Sequence, residues 1–118
     1  MSFITKNADA NPTDTSWVEL IPECPANTWR VTKSVSFYSG FVVSKFVLLG
    51  IKTTVGPTYH HIYLTPLLAP GDSDDFDDVA VIGPGQSLVT RLHAAGGVLF
   101  PVLANYAEYE EEPRLIAG

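Results

Sequence analysis

The chain has 118 residues, of which 46% are hydrophobic and only 17% charged, with a formal net charge of −6. That length makes one domain able to bury a core without disulfides or metal, and an acidic balance with dispersed Lys and Arg excludes a grip on nucleic-acid phosphates. No apolar run approaches the ~20 residues that cross a bilayer, and Met1 to Thr15 lacks the basic start and apolar stretch of a secretory signal.

The lone Cys24, next to Pro25, makes no intrachain bridge and implies no oxidising compartment. The expectation is a soluble protein made in a cytoplasm. A mean hydropathy of +0.14 is high for a small domain that must solvate its own surface, and fits one whose exposed apolar area serves assembly. Nine Gly and nine Pro argue for many turns between short strands.

Met1 to Asp14 is polar apart from Phe3 and Ile4 and reads as an extended N-terminal arm, residues 1–14. Ser16 to Ile21 alternates as a short strand that Pro22 and Pro25 stop. Thr28 to Ile51 then carries two apolar runs about a Tyr38-Ser39-Gly40 break and predicts a long β-hairpin. In its first arm Trp29, Val31, Val35 and Phe37 share one face, with Lys33 as the polar exception. The second arm is apolar on both faces, which requires cover on both. Gly56-Pro57 punctuates a crossing from Lys52 to Thr58 that is longer than a simple hairpin turn.

Further strands are predicted at Tyr59 to Thr65, Phe76 to Ile82, Gln86 to His93 and Val98 to Glu110, with turns at Gly83-Pro84-Gly85 and Ala94 to Gly97. Residues 111–118 read as a tail. No window has a convincing helical period. The fold class is therefore all-β: a single-domain β-sandwich over residues 15–110, jelly-roll-like, with seven to eight strands and extended arms at both ends. Val31, Val35, Phe37, Val47, Leu49, Leu88 and Val102 are its expected core.

Chemistry is sparse. A cupin metal site needs His-x-His, because residues two apart on a strand face the same way; His60-His61 are adjacent and point to opposite faces. The Asp72–Asp78 cluster fails as an EF-hand, with Asp77 at position 6 and Gly83 at position 12, and reads as a solvated loop guarding a sheet edge, although whether it binds calcium stays open. There is no G-x-S-x-G elbow, phosphate loop or C-x-x-C. No catalytic residue, metal ligand or cofactor is expected, and the chain is not expected to be an enzyme. The Tyr and Trp residues fit either core and interface anchors or a sugar groove.

The turn into PANTWRVTKSVSFYS, the turn IGPGQSLV and the closing strand AAGGVLFPVLANYAEYE together resemble small β-sandwich virion proteins of tailed bacteriophages. Within that group the chain is similar to capsid decoration, or cement, proteins over Cys24 to Glu110. The resemblance implies a structural virion protein on the capsid exterior, made in the host cytoplasm, that reinforces contacts between major capsid proteins. It implies a major capsid protein or another virion protein as partner, a homo-oligomer, and no role for nucleic acid or membrane. A tail, neck or fibre component and a carbohydrate-binding module are the alternatives. The residues themselves suggest where contact falls: Phe3 and Ile4 on the arm, and Leu115 and Ile116 on the tail, have no sequence neighbours able to bury them.

Overall fold

The computed structural model describes residues 3–39, 44–94 and 101–113. Nine strands, and no helix among the described residues, build two antiparallel sheets. They are β1 (Phe3–Ala10), β2 (Val18–Ile21), β3 (Trp29–Tyr38), β4 (Val47–Thr53), β5 (Thr58–Leu64), β6 (Ser73–Phe76), β7 (Val81–Ile82), β8 (Gln86–Leu92) and β9 (Val102–Tyr109). One sheet runs β1-β9-β3-β6, with β7 also on β3; the other runs β2-β8-β4-β5. First pairs with last, second with next to last, and the nesting continues inward to β4 and β5. This is one long antiparallel ribbon rolled into a sandwich, the jelly-roll arrangement.

The ribbon's tip is not where the sequence placed its hairpin. β3 and β4 lie in opposite sheets, so the two arms expected over Thr28 to Ile51 do not pair; residues 40–43, between them, lie outside the described residues. The hairpin is β4–β5, where Thr53 pairs with Thr58 around a four-residue turn whose Gly56 has φ 59°. The apolar character of β4 on both faces marked this. Such a strand packs centrally, between β8 and β5, and Val47 to Gly50 are all buried. The Lys52–Thr58 stretch is the tight connection, since only residues 54–57 leave the ladder.

The core lies between the sheets. Val35, Phe37, Val47, Leu49, Leu88 and Val102 are buried as expected. Val31 is not; it is only partly covered. The cause is a bulge at Lys33: Thr32 pairs with Tyr106 and Ser34 with Asn105, leaving Lys33 as an extra residue. One extra residue inverts the alternation. Thr32, before the bulge, therefore faces inward with Val35 and Phe37 after it, while Trp29 and Val31 turn outward. Buried Thr32 is satisfied reciprocally, its N–H donating to the Ala80 carbonyl (2.9 Å) and its Oγ1 accepting from the Ala80 N–H (2.8 Å). That clip also divides the single strand expected over Phe76 to Ile82 into β6 and β7.

The N-terminal segment is likewise no free arm over residues 3–10. It is β1, paired residue for residue with β9 from Phe3↔Tyr109 to Ala10↔Val102. Ala8 and Ala10 contribute to the core. A polar sequence suffices here because the backbone ladder to β9 holds the strand, and Ala8 and Ala10 supply its core contacts.

Candidate functional surface

Cross-strand rows define the outer face of the second sheet. Leu48 stands between Arg91 and Leu64, Gly50 between Val89 and His61, and Lys52 between Ser87 and Tyr59. Gly50 leaves a gap on this face, and Trp17, just ahead of β2, lies in it. A Cβ at position 50 would sit 3.0 Å from the Trp17 Cη2 and 3.0 Å from the His60 carbonyl oxygen. Around the indole, Tyr59 stacks with ring centroids 5.4 Å apart and planes 7° from parallel, His61 tilts at 5.5 Å, and the Arg91 guanidinium lies 5.0 Å from the ring. Alongside runs an open concavity of about 400 Å³ over Leu48, Ile62, Leu64, Arg91, His61 and His93.

His60 and His61 do diverge, pairing with Ile51 and Gly50 respectively. Among the described residues no three His, Cys, Asp or Glu side chains converge to hold a metal ion. The aspartate cluster is spread over different tasks. Asp74 accepts from the Tyr63 hydroxyl and so ties β5 to β6 across the two sheets, while Asp72 Oδ2 accepts from the Ala69 N–H at 3.2 Å. The Asp74 hydrogen bond, with burial second, pushes the Tyr63 phenol up to about 12.

At the opposite end of the first sheet, Glu108 bridges Lys6 (2.9 Å) and Arg30 (2.8 Å), and Arg30 also donates to the Pro22 carbonyl at 2.6 Å. The hydrogen bond from Lys6, then that from Arg30, holds the Glu108 carboxyl below its ordinary range against the opposing effect of burial. Cys24 lies nearby, buried, and that burial pushes its thiol up. A protonated, enclosed thiol is a poor nucleophile.

Phe3 is 51% exposed and Ile4 62%. They do not form one anchor. Phe3 shares the outer face with Tyr109 and Lys33, the Lys33 Nζ lying 5.3 Å from its ring centroid, whereas Ile4 is in the opposite row with Glu108. Leu115 and Ile116 lie outside the described residues. The sequence reading missed the Trp17–Arg91 cluster, whose signal was Gly50: a residue with no side chain in a central apolar strand marks a close approach.

No protein-family model and no curated protein matches the chain in sequence. Among solved structures it is similar to a protein of the Bacillus endospore appendages, described as disulfide-linked pili. The TM-score is 0.52 at 7% identity, over 94% of this chain and 88% of that one. A second similarity is to the CBM22-1–GH10 modules of Clostridium thermocellum xylanase 10B complexed with xylohexaose, with TM-score 0.48 and 8% identity. It covers 97% of this chain but only 26% of that one. What the first of these likenesses supports is the fold: the chain is a β-sandwich protein.

Proposed function

We propose that the chain is a structural virion protein that binds the outside of a phage capsid and reinforces contacts between major capsid proteins. The observation that carries this reading is the placing of large apolar side chains on the outermost strands of both sheets. Phe3 and Ile4 stand exposed on β1, and Tyr59 and Leu64 on β5. Side chains there are available to neighbours without disturbing the core, as a subunit that adds contact area across a seam requires. The acidic net charge suits a position outside the shell, away from the genome. Cohesion would be non-covalent, because Cys24 is 1% exposed and out of reach of a second chain. The test is addition of purified protein to particles lacking it. Wild-type chain should saturate the shell and raise its resistance to heat and low salt, and a Phe3→Ser, Ile4→Thr double variant that remains folded should bind less.

The Trp17–Tyr59 stack beside an open concavity favours a second reading, a carbohydrate-binding module. Titration calorimetry against a panel of oligosaccharides separates the two, since a sugar site would give saturable heat that Trp17→Ala abolishes.

A further inference from the structure

The four sheet edges are guarded unequally. An open edge offers unpaired N–H and C=O groups to any passing strand, and proteins blunt such edges with charges, prolines, bulges or short strands. β2 has only four residues, includes Glu19 and ends at Pro22. β6 and β7 are two short pieces amid the Asp72–Asp78 carboxylates. β1 bears Lys6 and Asp9. β5 has neither charge, proline nor shortness to guard it, only a bulge at Ile62: its seven residues, TYHHIYL, include no Asp, Glu, Lys, Arg or Pro, and Thr58 to His61 and Leu64 are exposed. Among the described residues β5 pairs on one side only, with β4.

We propose that the free edge of β5 pairs antiparallel with β5 of a second copy of this chain, joining two four-stranded sheets across a two-fold axis. This rests on the reading of the chain as an assembly subunit. Charge favours a second copy: in a protein of net charge −6, β5 itself carries no carboxylate, and the neighbouring Asp74 is engaged by the Tyr63 hydroxyl. Facing favours it too, and points to a register. Paired residues in an antiparallel ladder point to the same side of the sheet. A bulge against Leu49 and Gly50 makes Ile62 an extra residue, so Tyr59, His61 and Leu64 face outward while His60 and Tyr63 face inward. A two-fold pairing that matches these faces sets Tyr59 opposite Leu64 and His60 opposite Tyr63, with the bulge residues His61 and Ile62 meeting at the axis. A shift of one residue sets Tyr59 against the inward-facing Tyr63. In the matched register, exposed Tyr59, 40% accessible, covers exposed Leu64, 48% accessible, twice over. Seven paired residues bury less than the roughly 1,200 Å² of a standard interface, so the dimer is expected to form and dissociate with concentration.

The experiment is light scattering on the full chain across a concentration series, with disulfide trapping of the register. The wild type should rise from 12.8 kDa towards twice that mass, and His61→Glu should remain monomeric while keeping the far-UV circular dichroism of the folded chain. Tyr59→Cys with Leu64→Cys should give a covalent dimer on oxidation, because opposed strand residues sit about 4.5–5.5 Å apart, within disulfide reach. Within one strand the same two positions are about 16 Å apart and cannot bridge. A monomer at every concentration, or cross-linking of the shifted Tyr59→Cys, Tyr63→Cys pair instead, overturns the proposal. So does a monomer whose position 59 cross-links to a capsid protein. A monomer that still decorates particles refutes the β5 pairing and leaves the assembly reading standing; a trapped dimer that binds no particle does the reverse.

Discussion

Replacing Gly50 with Ala tests how the outer face of the second sheet is built. The added Cβ would stand 3.0 Å from the Trp17 Cη2 and 3.2 Å from Cζ3, against ordinary carbon contacts of about 3.5–4.0 Å, and 3.0 Å from the His60 carbonyl oxygen. The carbonyl belongs to the β4–β5 ladder and cannot retreat, so the indole must lift by roughly half an ångström or more. Overpacking of this kind costs about 1–3 kcal/mol, offset by about 0.5–1 kcal/mol because alanine loses less backbone entropy than glycine. The net expectation is a loss of about 1–2 kcal/mol, or a fall of roughly 4–8 °C in melting temperature for a domain of this size. With Trp29→Phe as background, Trp17 is the sole tryptophan. Its emission should shift to the red and be quenched more readily by iodide. In a Trp17→Ala background the cost of Gly50→Ala should drop, leaving the part due to the His60 carbonyl. Equal cost in both backgrounds would place the clash at the His60 carbonyl alone and refute the account of Trp17.

Glu108→Gln should destabilise by about 1–2 kcal/mol near neutral pH, since it leaves a mostly buried Arg30 without its carboxylate partner. Because the folded carboxyl titrates below its ordinary value of 4.5, its contribution is fully present above that value and lost as pH falls through the depressed one; urea melts of wild type and variant should therefore converge in acid. Tyr63→Phe should cost about 1–2 kcal/mol by removing the strut to Asp74. The phenol's folded value is raised from 10.0 to about 12, so this contribution holds below 10 and fades as pH rises towards 12, which alkaline melts of the two proteins would follow. Val35→Asp should prevent folding, as a buried unpaired carboxylate costs several kcal/mol against a total of about 5–15, whereas Val31→Thr should cost under about 1 kcal/mol; circular dichroism and thermal melts check both. Deleting residues 1–14 should lower the melting temperature by removing β1 from β9, a result that a free arm would not give.

The sandwich and most of its strands were legible because half-buried strands write their alternation into the sequence. Val35, Phe37, Leu88 and Val102 could be placed from pattern alone. Partnering was less legible, since periodicity tells which side of a strand is covered but not which strand lies beside it. The break after Tyr38 therefore read as a hairpin turn when it is a passage between sheets. Lys33 carries a signal of its own: a charged residue on an apolar face marks the bulge that turns Val31 outward. Edge strands leave the faintest trace, and β1 looked like an arm because its stability comes from β9 and not from its own side chains. At the candidate surface, Tyr59 and His61 were visible as residues, but Trp17 and Arg91 come from elements distant in sequence and meet only through the fold.

The most direct test of the assembly role is the copy number of this chain per virion, measured by quantitative mass spectrometry against the major capsid protein. A capsid-reinforcing subunit should occur in a fixed ratio to the major capsid protein, and stripping it should make heads rupture at lower temperature. A few copies confined to one vertex, or none on the particle at all, would contradict the account.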